Sequence, residues 1–541
     1  MTTAANSLPA RNWSIVALSS VGMATVAVSY MLAIVVALGC LALPVLLFVI
    51  IPVLGASFIF ARLLLGAFGL VAGLTILWSL IPRRRKVEVK GARIDLSRQP
   101  RLHAQIAEIA AALREPMPSE VYLVADANAF VMESSGPFGL NKRRILGLGL
   151  PLLQMLTVAQ FRAVLAHEFA HYYAGDTRLT PWLYNTQSTM ERVYENLGRK
   201  SQVLRFLTRW AVVAAPYMGL MGAMRLYWKA FMRITRAISR RQEFRSDELA
   251  CHIAGSQALI EGLEGIGKCH AALNSYWSSV VVPAAMSGFQ PEIAGGFSLF
   301  MQAPHIVKAT SDVLAKQSSV TKSSPFDTHP PQSKRIQMAQ LYNLPKPASS
   351  QLAGVSDMPM ISTIDQLGPI EADLLKTVLP NLKTTSLKPL NWETAGTDVY
   401  VPLWRKQVAG FLPALATKSM AGLPSLVLDP GSITSLIPIA GANRLHPAQI
   451  TAKAMDVLFC AFALCLLDNG WRLISQPGAQ YLENGENKIE PGTVLSELKS
   501  GKLTGAEWSA FREQRQIGDW SLASSSQAEP QQASPVASTI N

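Results

Sequence analysis

The sequence predicts an α+β chain that is mainly helical, with a small sheet, transmembrane helices near its N-terminus and a separate C-terminal α+β domain. The chain has 541 residues, of which 49% are hydrophobic, so it exceeds one ordinary soluble domain. The start of the chain is almost uncharged. Far downstream, at about residue 343, a segment rich in Pro, Ser and Ala begins and is predicted to be a linker. We therefore expect an anchor at 1–82, a central domain at 83–345, a C-terminal accessory domain at 346–522 and a disordered tail at 523–541.

Residues 13–81 form the predicted transmembrane part, because Arg62 is their only charged residue. One membrane span needs roughly 20 apolar residues, so this stretch can hold two or three spans. We place one span at about 14–38 and another at about 58–81. Two prolines break or kink the chain between them.

A basic cluster follows the last predicted span directly. The positive-inside rule places this end of the span at the cytoplasmic face, so the remainder of the chain is expected in the cytoplasm. The five cysteines contain no CxxC pair, which agrees with a reducing compartment. The basic cluster consists of Arg83, Arg84, Arg85 and Lys86.

Two shorter apolar stretches are predicted to be helices that do not cross the membrane. Residues 210–224 are short for a span, so a core helix or a helix in the membrane interface is favoured over a further span. Residues 457–467 are shorter still and are predicted to form a buried helix.

The net charge of +13 does not indicate a nucleic-acid partner. The basic residues are dispersed, and the sequence contains no RNP motif, zinc finger or basic-region helix. Proximity to an anionic membrane face explains a positive balance equally well, so the lipid bilayer is the expected partner.

The central domain contains short strands followed by a capped helix. Residues 121–125 and 144–150 are β-like runs with a loop between them. Thr157 followed by Gln160 is a capping box. The helix that it starts is expected to run to about residue 174 and to end at Gly175.

This helix carries the strongest chemical signal of the sequence, His167-Glu168-Phe169-Ala170-His171. Histidines four residues apart share one face of a helix, so both imidazoles can bind one metal ion. Glu168 is close enough to act on a water that the metal polarises. The pattern predicts a zinc hydrolase site with one Zn²⁺ per chain.

A zinc hydrolase site requires a third protein ligand. The subclass that places a third His six residues after the second is excluded by Thr177. Three acidic residues on a later helix are the alternatives: Glu243, Asp247 and Glu248. Glu243 and Asp247 share a face, whereas Glu248 lies about 100° further round than Asp247. We favour Glu243, whose longer arm reaches the metal while Asp247 orients a ligand imidazole.

Residues 241–247 resemble the third-ligand motif E-[FY]-x-A-D of the HtpX and CAAX prenyl protease family of integral membrane zinc peptidases. Ser246 stands where alanine is usual. Asn128-Ala129-Phe130 resembles the family's NAF motif, and Thr-His-Pro-Pro at 328–331 with Arg335 resembles its closing segment. These matching motifs cover roughly residues 95–342. The region between the two metal-binding motifs is only weakly apolar, so the chain resembles the HtpX-like members more than the prenyl proteases.

The resemblance implies a zincin-type metallopeptidase domain at 83–345, in a protein of the bacterial inner membrane. It implies that His329 donates to the oxyanion and that Asn128 bonds the substrate backbone. With the motif above, the predicted site comprises the ligands His167, His171 and Glu243, the base Glu168, the orienting residue Asp247, and His329 and Asn128.

The expected function is endoproteolysis of membrane or membrane-proximal proteins, in HtpX-like quality control. A processing peptidase with one dedicated substrate is an alternative. An inactive relative that serves as a membrane scaffold is another. Every candidate site residue precedes residue 345, so truncation there is expected to leave the catalytic unit intact.

Overall fold

The chain is mostly helical with small sheets, as the sequence predicts. A computed structural model describes residues 13–50, 58–81, 89–134, 143–173, 180–200, 202–319, 330–345, 356–380, 382, 387–434 and 447–523. Predictions for Arg83 to Lys86, for His329 and for nearly all of the C-terminal tail fall outside these residues.

The described residues contain helices α1–α21 and strands β1–β9, with several short 3₁₀- and π-helical turns between them. The helices are α1 Trp13–Val45, α2 Ile59–Leu80, α3 Pro100–Ala112, α4 Leu150–Met155, α5 Val158–Tyr173, α6 Thr180–Glu195, α7 Gln202–Leu207, α8 Ala211–Ala254, α9 Ser256–Tyr276, α10 Val282–Met286, α11 Ile293–Gln302, α12 Pro304–Ser319, α13 Gln332–Tyr342, α14 Leu367–Val378, α15 Val401–Ala409, α16 Leu412–Leu415, α17 Leu423–Leu428, α18 Gly431–Thr434, α19 Pro447–Asp468, α20 Pro491–Ser500 and α21 Gly505–Gln514. The strands are β1 Gly91–Ile94, β2 Glu120–Val124, β3 Ala129–Ser134, β4 Arg143–Gly149, β5 Phe289–Gln290, β6 Lys388–Pro389, β7 Arg472–Gln476, β8 Ala479–Asn484 and β9 Asn487–Ile489.

The chain divides into two compact units, and each is built from two separate stretches. Unit 1 takes residues 1–271 and 310–378, and unit 2 takes residues 272–309 and 379–541. The sequence-based boundary at 345/346 falls inside unit 1 rather than between the units. The reason is that residues 356–378 pack on the central domain, while residues 272–309 pack with the C-terminal part of the chain.

The N-terminal helices α1 and α2 form an antiparallel pair. A Cβ added at Gly69 would lie 2.5 Å from the carbonyl oxygen of Cys40, and one at Gly73 would lie 2.8 Å from that of Ala37. Small residues at this spacing let two helices approach closely, which is how membrane helices associate. Two apolar helices are therefore present in the described part of the predicted anchor.

Three described stretches are long and apolar enough to cross a membrane: Ser20–Val49, Ile59–Leu80 and Gln449–Asp468. The first two coincide with the predicted anchor. The third coincides with α19, whose residues 457–466 are almost entirely buried in the hydrophobic core of unit 2. The prediction of a buried helix at 457–467 is thus confirmed by its packing.

The apolar stretch at 210–224 lies beside the N-terminal helices. It forms the first part of the 44-residue helix α8. Val213 and Met221 pack in one hydrophobic cluster with residues of α1 and α2. Met218 on another face is 65% exposed. An apolar side chain exposed beside two membrane helices fits a lipid environment.

A four-stranded sheet with the order β1-β2-β4-β3 lies beside the capped helix α5. Strands β2 and β4 match the predicted runs, but β3 occupies residues expected to form a loop. β3 pairs antiparallel with β4 and is an outer strand of the sheet. The predicted capping box is present, with the Thr157 amide and the Gln160 side chain 3.0 Å apart.

Residues 356–378 form a strap across the start of α5. The Val158 amide donates to the carbonyl oxygen of Met358 at 2.9 Å, and the Ala159 amide donates to that of Ser356 at 3.0 Å. Gln99 and Asp365 exchange two further hydrogen bonds, at 2.8 and 2.6 Å. The strap therefore satisfies amides at the helix N-terminus that have no intrahelical partner.

Unit 2 is held together by contacts between its two stretches. Phe289 of β5 pairs with Lys388 of β6, and the Tyr400 hydroxyl donates to the Ser279 carbonyl oxygen at 3.1 Å. The antiparallel sheet β7-β8-β9 completes the unit. Its mixed helix and strand content agrees with the α+β accessory domain that the sequence predicts.

Candidate metal centre

The two histidines of the HExxH motif lie on one face of α5, as their spacing requires. Their ring centroids are 4.8 Å apart, and the rings are nearly perpendicular. His167 is buried, and His171 is partly exposed. Glu168 lies between the buried residues His167 and Phe169 and stays partly exposed. The helix thus presents two imidazoles, with one carboxylate beside them.

Glu243 of α8 meets both imidazoles. Its Oε2 is 3.5 Å from Nε2 of His167, and its Oε1 is 3.7 Å from Nε2 of His171. Each of these residues offers one ligand atom, and the three ligand atoms lie within 4.8 Å of one another. Two tetrahedral ligands at zinc bond lengths lie about 3.3 Å apart, so only a small adjustment is needed for all three to bind one ion.

This donor set fits zinc. Two imidazole nitrogens and one carboxylate oxygen form the three-ligand set of catalytic zinc sites, which leaves a fourth position for water. The carboxylate of Glu243 is buried. Burial of a carboxylate is costly unless a cation or a hydrogen-bond donor compensates it, and a metal ion at this position would do so.

Asp247 lies one turn beyond Glu243 and contacts the outer nitrogen of a candidate ligand. Its Oδ1 is 2.9 Å from Nδ1 of His167, and its side chain is fully buried. A carboxylate on the second nitrogen of a metal-binding histidine fixes the ring orientation and tautomer. Glu248 instead lies 2.5 Å from Arg245, so the three acidic residues occupy the three positions that the helix geometry predicts.

Arg335 of α13 completes this network, and the sequence reasoning assigned it no role. Its Nε donates to Oδ2 of Asp247 at 2.9 Å, and a terminal nitrogen donates to Oδ1 at 2.7 Å. That two-pronged geometry is the strong form of an arginine–carboxylate pair. The family-like closing segment at 328–335 was the sequence signal that could have revealed it.

Ser246, the departure from the family motif, contacts the other candidate ligand. Its Oγ lies 3.1 Å from Nδ1 of His171. Both imidazoles therefore have a polar side chain of α8 at the nitrogen that faces away from Glu243. The sequence shows Ser246 only as a departure from the usual alanine and does not reveal this contact.

The charges around His167 change its proton affinity. Burial and the Arg335 guanidinium lower the pKa of His167, but Asp247 and Glu243 more than offset them and raise this pKa to about 9. Burial raises the pKa of Asp247, whereas Arg335 and His167 hold it below its ordinary value. Binding of a metal ion to His167 therefore competes with binding of a proton.

The remaining predicted residues are placed as follows. Asn128 is exposed and directly precedes the outer strand β3. The Tyr172 hydroxyl donates to the Val131 carbonyl oxygen of that strand at 2.8 Å, which ties β3 to the end of the HExxH helix. His329 lies outside the described residues, just before Pro330.

Comparison with known proteins agrees with this geometry. Residues 96–342 match Peptidase family M48. A 152-residue part of the chain is 28% identical to the protein named Protease HtpX of Xylella fastidiosa strain M12, and equally to that of strain M23. The aligned part covers 28% of this chain and 51% of either relative, so the chain spans about half the length of the curated relatives it matches. Residues 96–342 therefore resemble peptidase family M48, and the predicted HtpX-like resemblance is confirmed.

Proposed function

We propose that this chain is a membrane-anchored zinc endopeptidase. The observation that carries the proposal is the convergence of His167, His171 and Glu243 on one point, with Glu168 beside them. The M48 match and the printed name of the relatives support a protease. An inactive scaffold has no need for a complete ligand set with its buried orienting residues.

The chain's own residues divide the hydrolytic work. Zinc bound by the three ligands supplies polarisation of the scissile carbonyl and of the attacking water. Glu168 accepts a proton from this water while the water oxygen adds to the carbonyl carbon. Glu168 then passes the proton to the amine nitrogen as the C–N bond breaks. Asp247 and Arg335 hold His167 in place throughout.

The outer strand β3 is the proposed aligning surface for the peptide. An extended peptide can add to an exposed strand edge through main-chain hydrogen bonds. β3 is attached to α5 through Tyr172, so a peptide bound there is held at the level of the metal ligands. Asn128 at the start of β3 is proposed to bond the substrate backbone, and His329 is proposed to donate to the oxyanion.

The membrane setting defines the proposed substrates. The apolar helices α1 and α2 support a membrane-anchored protein. The basic cluster that follows in the sequence supports a catalytic unit that faces the cytoplasm, under the positive-inside rule. We therefore propose that membrane or membrane-proximal proteins are cleaved, as in quality control. A dedicated processing peptidase is the alternative.

The test combines metal analysis with a proteolysis assay. Purified full-length protein is expected to contain one zinc ion per chain and to cleave casein, and a chelator is expected to abolish cleavage until zinc is restored. Absence of cleavage by zinc-loaded protein, or cleavage that is indifferent to chelator, would contradict the proposal.

A further inference from the structure

The helix that carries Glu243 also carries an uninterrupted series of positive charges. Between Glu195 and Glu243 the chain contains ten Lys and Arg residues and no acidic residue. Five of the ten lie on α8 at spacings of three or four residues, which places them within an arc of about 80° on the helix. We call this set the basic stripe: Arg225, Lys229, Arg233, Arg236 and Arg240.

The basic stripe lies on the same face of α8 as the candidate metal ligand. At about 100° per residue, Glu243 and Asp247 fall within the arc that the stripe occupies. Arg240 is one turn before Glu243, about 4.5 Å along the axis. Arg225, Lys229 and Arg233 are exposed, whereas Arg236 and Arg240 are half-buried. The face that binds α5 near the metal centre is therefore open further along the helix.

The other end of the stripe lies beside the membrane helices. Trp210 packs edge-to-face on Phe60 at 5.0 Å, and Tyr217 packs on Phe68 at 6.4 Å, so α8 runs parallel to α2. Tyr227 hydrogen-bonds Ser29 of α1. At 1.5 Å per residue the stripe then extends about 22 Å, from these helices towards the metal centre.

We propose that the basic stripe binds an acidic segment of the peptide substrate and thereby selects substrates with acidic residues beside the scissile bond. This inference rests on the proposed peptidase function. A length of about 22 Å matches roughly seven residues of extended chain. Anionic lipid headgroups suit the first residues of the stripe, beside the membrane helices, but the stripe continues to within one turn of Glu243. A peptide that leaves the metal centre towards the membrane follows this whole path.

The test uses full-length, zinc-loaded protein in phosphatidylcholine nanodiscs. Two quenched peptides share one cleavable core and differ only in a flanking segment that contains four Glu or four Gln residues. We expect the Glu peptide to be cleaved with at least a tenfold higher kcat/KM at low salt, and we expect this ratio to shrink in 0.5 M salt, because screening weakens exposed charge pairs.

Variants locate the effect on the stripe. Arg233→Glu is expected to lower the Glu-to-Gln ratio about tenfold, since it replaces an attractive contact by a repulsive one. Arg241→Glu is the matched control, because Arg241 is exposed on the same helix but lies about 100° round from Arg240. Cleavage of the Gln peptide is expected to stay near wild type in Arg241→Glu.

Peptide affinity separates failure of this inference from failure of the proposed function. The affinities of fluorescently labelled versions of the two peptides are measured with the Glu168→Gln variant. This measurement does not require turnover. Equal affinities, or equal losses in the Arg233→Glu and Arg241→Glu forms of that protein, would overturn the inference. An Arg233→Glu effect that appears only with phosphatidylglycerol in the nanodisc, for both peptides alike, would assign the stripe to lipid and overturn it as well.

Discussion

The hydroxyl oxygen of Ser246 lies 3.1 Å from Nδ1 of His171, on the side of the imidazole that faces away from Glu243. The family motif usually has alanine at this position, so this chain gives its second histidine a polar partner of its own. His171 in turn is more exposed than His167, which has a carboxylate partner. The two imidazoles are thus oriented by partners of different strength.

Ser246→Ala is expected to weaken zinc binding about three- to tenfold. Loss of an orienting partner typically lowers metal affinity about 10–100-fold, but water can replace a hydroxyl beside a partly exposed ring. Competition with a chromogenic chelator measures the affinity. Thr235→Val is the control, because the Thr235 hydroxyl bonds carbonyl oxygens of its own helix. Unchanged affinity in Ser246→Ala would remove the serine from this role.

Arg335→Gln is expected to lower zinc affinity about 10–100-fold, because Asp247 then loses the guanidinium that fixes it against His167. Removal of one partner of a buried ion pair also destabilises a protein by about 3–5 kcal/mol. The double variant Asp247→Asn/Arg335→Gln removes both charges and is expected to unfold at a higher temperature than Arg335→Gln alone. Additive effects of the two single variants would show that the residues act independently.

Gly73→Val is expected to destabilise the membrane helix pair by about 1–3 kcal/mol through overpacking. A Cβ at Gly73 meets the Leu41 side chain at 2.7 Å, whereas a Cβ at Gly39 meets nothing within 4 Å. The temperature of thermal unfolding in detergent should therefore be lower for Gly73→Val and unchanged for Gly39→Val. Equal behaviour of the two variants would contradict the close packing of α1 on α2.

Truncation after residue 345 is expected to reduce zinc occupancy, contrary to what the sequence suggests. The cut removes the strap at 356–378, with its two hydrogen bonds to the start of α5 and its contacts with Gln99. It also exposes the buried face of residues 272–309. Truncation after residue 523 is the control and should retain full zinc content. A folded, zinc-loaded protein that ends at 345 would refute this expectation.

The sequence predicts the grouping of His167, His171 and Glu243 better than the contacts around them, because the HExxH spacing acts within one helix. His167 and His171 share a face wherever that helix lies, and a capping box marks its start. The arm length of Glu243 and its place one turn before Asp247 are also properties of a single helix. The contacts of Arg335 and Ser246 depend on how α8 and α13 pack against α5, which no local pattern contains.

The domain division illustrates a second limit of sequence reasoning. Composition marks a linker near residue 346, but the chain returns to unit 1 after it through the strap. The composition of residues 272–309 does not indicate that they belong to a second unit, yet they share a hydrophobic core with α19 and its neighbours. Strand β3 was missed for a related reason, since its pairing with β4 decides its conformation more than its own residues do.

Zinc stoichiometry and turnover in matched variants of the acidic residues test the central claim most directly. Glu168→Gln is expected to keep one zinc ion per chain and to lose peptide hydrolysis, because the proposed role of Glu168 is to move protons and not to bind the metal. Glu243→Ala should lose its zinc, Asp247→Ala should lose part of it, and Glu248→Ala should keep it. Full zinc occupancy in Glu243→Ala, or near-normal turnover in Glu168→Gln, would contradict the account.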